Sequence, residues 1–356
     1  VSRVIAADRD PDTGLLAAVL FIDGSAEALE VDLPGSGAAT GDIFRARVTG
    51  AVPGVEDAMI VDLGDGEGFL TLRRGERRRR GETVLAQVEV PPREDKRASL
   101  TTDIRLLGRL LIATPGRPLA FSRGIADRRA TAARASALGL ADGWILRGAF
   151  AAATDQAIEE EAARLGRDRA GLVAEGPPGR LLAGPDAPTR LWCDWCDGTE
   201  RVVPPPLPTT TPTATVPAWP ADTPAANLAS PSHDIGDILR RERQREIALP
   251  SGGRLSVERT RALIAIDVDA GRSGGATANR EAMTAVARAL RLRNLAGLIA
   301  IDPVSPLRDA GALIDALREA TSGDARQIDI APRPSRFGLL ELTRARRGLA
   351  LDELLP

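Results

Sequence analysis

The sequence predicts a multidomain α+β protein: an α/β core accompanied by a small β-barrel. Three observations carry that class. GDIFRARVTGAV, DAMIVDLG, GFLTL and TVLAQVEV follow one another as short alternating segments with glycine-containing turns between them, the pattern of a small barrel. From Asp234 onward, apolar strand segments alternate with amphipathic helical ones, the pattern of a layered α/β domain. Between these regions, PPPLPTTTPTATVPAWPADTPAANLASPS (residues 204–232) is rich in Pro, Thr and Ala, the composition of an extended linker.

In chain order, LLAAVLFIDG and AEALEVDL form two short strands joined at Gly24-Ser25. GDGEG (64–68) gives a tight hairpin inside the barrel, with glycine supplying positive φ. RRGERRRR (73–80) is either a solvated charged loop or a phosphate-facing patch, since arginine pairs with phosphate bidentately. TTDIRLLGRLLIATP is compatible with a strand pair or a helix leading to a strand. DRRATAARASALGL is helical, GWILRGAF is a strand, and ATDQAIEEEAARLGRDRAGL is a helix rich in Ala and Glu. In the C-terminal half, IGDILRRERQREIAL is a helix entering a strand, and RLSVERT, RALIAIDVDAGR, GLIAID and RQIDIAP are strands. TANREAMTAVARALRLRNL and PLRDAGALIDALREATS are the helices between them. The alternation implies a largely parallel sheet.

Composition narrows the function. The 356 residues suffice for two or three domains, and 43% apolar content suffices for real cores. Only 3% is aromatic, with no tyrosine, so Ala, Leu, Val and Ile must build them. A net charge of -2 argues against a uniformly basic nucleic-acid coat. Arginine carries nearly all positive charge, and the one lysine is Lys96. No run of 18 apolar residues occurs and no signal peptide is read, and the two cysteines form a single C-x-x-C, which together predict a cytoplasmic, non-membrane protein.

The chemistry points to Asp267 and Asp302, each closing an IAID at a strand end. Ligands of α/β sheets bind beyond the carboxyl ends of strands. Two adjacent carboxylates repel unless a cation intervenes, and Mg²⁺ accepts carboxylate and phosphate oxygens together. Asp269, two residues on, shares the face of Asp267 and is a third ligand or an orienting group. Strand-end aspartates also cap turns, and the acids alone fit nuclease, phosphatase or nucleotide-binding chemistry.

LPSGGRLSVERTRALIAIDVDAGR, then RALRLRNLAGLIAID, then SRFGLLELTR resemble, in order and spacing, the catalytic core of the ribonuclease E/G family. GDIFRARVTGAVPGVEDAMIVDLGDGEGFL resembles the family's OB-type RNA-binding barrel, and GWILRGA its 5′-monophosphate sensor. The resemblance implies a core that joins a ribonuclease-H-like part to a deoxyribonuclease-I-like mixed sheet. The implied domains are 1–38 (ribonuclease-H-like strands), 39–98 (barrel), 99–170 (sensor-like region), 171–233 (C-x-x-C segment and linker) and 234–356 (catalytic domain). It implies a Mg²⁺-dependent endoribonuclease acting on single-stranded RNA in RNA processing or decay, with Asp267 and Asp302 as the metal ligands. The alternative is a weakly active or inactive RNA-binding relative. Asp269 stands where the family has Asn. Phe69 falls on a base-stacking aromatic whose partner position holds Met59. Lys96 falls on an RNA-contacting basic residue, and Val90 replaces a second lysine. Arg147 matches the sensor's phosphate-binding arginine, beside Gly148 in place of Thr. Cys193 and Cys196 in CDWCDG resemble the family's zinc-link motif but precede the core. They imply a Zn²⁺ shared between chains in a homodimer, a site completed by His233, or no metal. The chain stops soon after the core, so the resemblance is to a short form without the family's C-terminal small domain.

Overall fold

The computed structural model describes all residues except 11, 34, 36, 74, 94, 95, 197–199, 204–233, 273, 308 and 356. The chain divides into two compact units, Val1–Asp32 with Thr199–Pro356, and Leu33–Gly198. The first strands therefore belong with the C-terminal half. The Pro/Thr-rich stretch and His233 lie outside the described residues.

The chain opens with an antiparallel meander, β1 (Arg3–Arg9), β2 (Leu16–Ile22) and β3 (Ser25–Asp32). The β2–β3 turn is Asp23-Gly24, both with positive φ (48° and 79°), one residue earlier than Gly24-Ser25. A two-residue hairpin turn of this hand needs φ above zero at both central positions, which Asp tolerates and Gly favours. The strand RVIAADR, with its four consecutive buried residues, lacks the alternation by which its neighbours are found.

The second unit holds the barrel: β4 (Ile43–Ala51), β5 (Ala58–Asp62), β6 (Glu67–Thr71), β7 (Thr83–Val90) and β8 (Ala98–Thr101). The order is β4-β5-β6-β8-β7, and pairing of β4 with β7 closes it. Closure removes the unpaired edges that a five-stranded sheet would expose. Phe44, Val48, Val61, Leu70, Val88 and Leu100 fill the interior. Gly68 leaves room there for Leu100, whose Cδ1 a Cβ would overlap. This closed five-stranded barrel is consistent with the OB type.

Beyond it come β9 (Leu106–Leu107), β10 (Leu111–Ala113), β11 (Ala120–Phe121), α1 (Arg128–Ala137), β12 (Trp144–Leu146), α2 (Asp155–Ala170), β13 (Gly179–Leu182) and α3 (Ala187–Trp195). LLGRLLIA is thus a strand pair, not a helix. Its turn is held by Glu161 of α2, whose carboxylate accepts the N–H groups of Arg109, Leu110 and Leu111 at 2.7–3.0 Å. Thr154 caps α2 by accepting from the N–H of Ala157.

The chain returns as β14 (Arg201–Val203), parallel to β1, and α4 (Ile235–Glu242), whose Ile235, Ile238 and Leu239 pack with Val4, Val19 and Phe21. Then follow β15 (Glu246–Ala248), β16 (Arg254–Arg259), β17 (Ile264–Asp269), α5 (Gly275–Leu292), β18 (Gly297–Asp302), α6 (Ala310–Thr321), β19 (Ile328–Ile330), β20 (Leu340–Arg344) and α7 (Leu351–Leu354). The expectation of a largely parallel sheet is corrected. The order is β15-β16-β17-β18-β20-β19, and only β17 and β18 run parallel. Helix α5 is the crossover that makes that one parallel pair. Helix α6 instead delivers the chain to the sheet edge, from which a β19–β20 hairpin turns back to lie against β18. The strand order is that of a mixed α/β protein with a closed barrel.

Candidate active site

The site is built on the parallel pair. Ile264, Ile266 and Val268 of β17, and Ile299 and Ile301 of β18, are buried against Ala282, Met283, Val286 and Leu317 of the two helices. Side chains alternate across a strand, so residues 265, 267 and 269 take the other face, as do 300 and 302. Asp267 and Asp302 are directly paired in register, and both are exposed. Neighbouring strands lie about 4.8 Å apart, so two carboxylates of like charge stand side by side. Among the described residues, neither enters a hydrogen bond or ion pair. Ser256 is the cross-strand neighbour of Asp267, and Glu246 that of Ser256.

Asp269 faces the same side but is committed. Its Oδ2 pairs with Arg254 at 2.8 Å, and its Oδ1 accepts the N–H of Gly271 at 2.8 Å. Both of its oxygens thus have partners, unlike those of Asp267 and Asp302. No group of three or more His, Cys, Asp or Glu poised for a metal occurs among the described residues. Two uncommitted carboxylates are nonetheless a fitting donor set for a hard divalent cation that keeps several waters and takes its remaining ligands from a phosphate.

Two supports were not apparent from sequence. Asn279 of α5 is buried, donates to the carbonyl of Val304 at 3.0 Å and accepts its N–H at 2.8 Å. That two-way clamp fixes the loop leaving Asp302. Glu281 accepts both the N–H (3.0 Å) and the hydroxyl (2.8 Å) of Ser251, tying the LPSGG turn to α5. A Cβ on Gly253 would fall 2.6 Å from the Asp269 carbonyl oxygen, and one on Gly271 2.6 Å from that of Gly252. The glycines therefore let this turn lie against the backbone that ends β17. Polar residues spaced along one helix, TANRE, were the available signal.

The other singled-out residues lie in the second unit. Phe69 is half-buried on the outer face of β6, in register with Ile60 and Ser99. Met59 is not its surface partner: it pairs with Leu70 and lies inside the barrel. Lys96 is exposed in the turn before β8, where its backbone exchanges hydrogen bonds with Arg93. Val90 is buried at the end of β7. The arginine run is split. Arg73 pairs with Asp103 and Arg78 with Glu76 and Glu82, whereas Arg77, Arg79 and Arg80 are exposed. Burial alone would raise the Asp103 pKa, but a hydrogen bond from Arg117 and the charges of Arg105, Arg117 and Arg73 bring it below the ordinary value.

Arg147 is 16% exposed and held by α3: it donates to Asp194 Oδ1 (3.1 Å) and to the Cys193 carbonyl (2.7 Å). Gly148 next to it opens a short 3-10 turn. Cys193 is itself only 7% exposed, and burial, reinforced by the charge of Asp194, pushes its thiol up to about 12. A zinc ligand must be a thiolate. The expected Zn²⁺ shared by Cys193 and Cys196 in a homodimer finds no support here: Cys193 is enclosed and Cys196 only partly exposed. Among the described residues, no helix is long and apolar enough to cross a membrane.

Comparison with known proteins bears on the same strands. A model of the ribonuclease E/G family matches residues 225–347. Ribonuclease E of Escherichia coli (strain K12) is 29% identical over 388 residues, covering 94% of this chain and 36% of that protein. Ribonuclease E of Nostoc sp. (strain PCC 7120) is 30% identical over 373 residues, covering 88% of this chain and 52% of that protein. Ribonuclease G of Salmonella typhimurium (strain SL1344) is 26% identical over 401 residues, covering 95% of this chain and 79% of that protein. The chain thus spans about half or less of these ribonuclease E relatives and most of the ribonuclease G.

Proposed function

This chain belongs to the ribonuclease E/G family, and from that premise we propose that it is an endoribonuclease that hydrolyses phosphodiester bonds of single-stranded RNA with Mg²⁺, in cytoplasmic RNA processing or decay. The observation that carries the reading is the register-paired, uncommitted carboxylates of Asp267 and Asp302. They would hold the ion; when bound, Mg²⁺ neutralises their repulsion, stabilises charge developing on phosphate and lowers the pKa of a water.

The chain's own residues do the rest. Asp269, fixed by Arg254 and the Gly271 N–H, holds the end of β17 so that Asp267 stays opposite Asp302. Asn279 holds the loop beyond Asp302. Phe69 offers a face for base stacking, and Lys96 with Arg77, Arg79 and Arg80 offers charge to the phosphate backbone. Cleavage of an AU-rich single-stranded RNA in Mg²⁺, absent in EDTA and absent in Asp302→Asn, tests the reading; equal cutting by variant and wild type defeats it.

A second reading, an RNA-binding relative that cuts poorly, is favoured by two observations. Arg147 is occupied by Asp194 and Cys193, and Met59 is withdrawn into the barrel. RNA binding in EDTA with no cleavage in Mg²⁺ or Mn²⁺ would select it.

A further inference from the structure

Phe337 is 75% exposed, in a protein with six phenylalanines that encloses Phe21, Phe44 and Phe150. The guanidinium of Arg336 lies over its ring, 4.6 Å from the centroid. The segment that carries them, APRPSRFGL (residues 331–339), contains Arg333 and Arg336 and no acid. It is also firmly built. Ser335 accepts the Gly338 N–H at its carbonyl (2.9 Å) and donates its own N–H to the Leu339 carbonyl (2.9 Å). Its hydroxyl accepts the N–H groups of Phe337 and Leu339 at 3.4 and 3.3 Å. Gly338 supplies the positive φ (89°) that closes the turn, and Pro332 and Pro334 stiffen the approach. The aromatic is thus presented on a fixed turn, with little ordering entropy left to lose on binding.

The register says where. Leu340 pairs with Ile301, so continuing the antiparallel ladder by one residue sets Leu339 opposite Asp302. Phe337 is two residues further on. At no more than about 3.5 Å per residue it starts within about 7 Å of the acid's row, at the strand end where the carboxylates stand. A solvated aromatic stacked with an arginine, beside a phosphodiester-cleaving pair, is the surface that an unpaired base takes, because every base has a π-face and the cation meets the neighbouring phosphate.

We propose that Phe337 and Arg336 form a base-stacking subsite for an unpaired nucleotide of the RNA strand, adjoining the phosphodiester held at Asp267 and Asp302. The subsite rests on the RNA-cleavage reading of the same strand ends and names the part of the substrate that those ends grip. It is distinct from Phe69, which lies in the other compact unit.

The test is a binding cycle on the full chain in EDTA. A short unstructured RNA with one abasic position, walked along its length, is titrated by fluorescence anisotropy against wild type, Phe337→Ala, Phe337→Tyr and Phe69→Ala. One abasic position should weaken wild type by roughly 5- to 150-fold and leave Phe337→Ala unaffected, the two losses being non-additive. Phe337→Tyr, which keeps the π-face, should restore binding, and Phe69→Ala should couple to a different position. Thermal melts verify that the variants fold; the side chain is exposed, so they should melt with wild type. Phe337→Ala binding as tightly as wild type, or no position coupled to Phe337, overturns the subsite. A coupled position in a protein that does not cut keeps the subsite and defeats the cleavage reading. Cutting with no coupled position defeats the subsite alone, and no RNA binding defeats both.

Discussion

Replacing Asp302 by Asn should change stability and activity in opposite directions, and the sign comes from the register. Asp267 and Asp302 stand on adjacent parallel strands about 4.8 Å apart, without an ion-pair partner among the described residues. Two unit charges about 5 Å apart repel by about 0.8 kcal/mol in a water-like dielectric and about 3 kcal/mol at an effective constant of 20. Both side chains are exposed, which places the value near the lower figure. Asn is nearly isosteric and removes one charge, so Asp302→Asn should stabilise the metal-free protein by about 1 kcal/mol. For a unit of this size that is a rise of about 2–4 °C in Tm. Mg²⁺ should then raise the Tm of wild type, because a cation that binds the folded state stabilises it by mass action, and should leave the variant nearly unchanged. Cleavage should fall at least about 100-fold, since the lost charge stabilisation amounts to several kcal/mol. Differential scanning fluorimetry in EDTA and in Mg²⁺, beside cleavage of a fluorophore-quencher RNA, reads all three effects. A lower Tm for the variant in EDTA, or equal Mg²⁺ stabilisation of both proteins, would refute the argument that the two carboxylates form one cation site.

Three further outcomes check other parts of the molecule. Gly68→Ala puts a methyl into fully buried Leu100 and should cost about 1–3 kcal/mol in urea unfolding of the barrel unit; an unchanged midpoint would mean that Leu100 can repack. Cys193, with its thiol near 12, should resist iodoacetamide at pH 8 in the native protein and react after denaturation; labelling of native Cys193 as fast as that of a free thiol would contradict its enclosure. Asp103 has a folded pKa below its unfolded value, so its contribution is present above about pH 4 and is lost as pH falls through the folded value. Asp103→Asn should accordingly flatten the acid limb of the stability profile below about pH 4, and an unaltered limb would show that Arg73, Arg105 and Arg117 do not act through it.

By itself, the sequence determined most of the local elements and singled out two candidate acids. Glycine-punctuated alternation located four of the five barrel strands and missed β8, helical spacing located α5 and α6, and the repeated IAID singled out Asp267 and Asp302. These signals are local: side-chain period and turn chemistry are set within a few residues of the chain. Tertiary structure decided which strands became neighbours and which charged groups remained free. Nothing local distinguishes a sheet with one parallel pair from a largely parallel one, because the β19–β20 hairpin that turns back against β18 depends on pairing at a distance. Equally, Asp267 and Asp269 look alike in IAIDVD, and only the fold gives Asp269 to Arg254 while leaving Asp267 unpaired beside Asp302. Arg147 and Met59 make the same point in reverse. Matched by position to an RNA surface, they are drawn by the fold into a hydrogen-bonded helix end and a barrel core. A side chain's chemistry is written in the chain, but its availability depends on partners contributed from residues far along it.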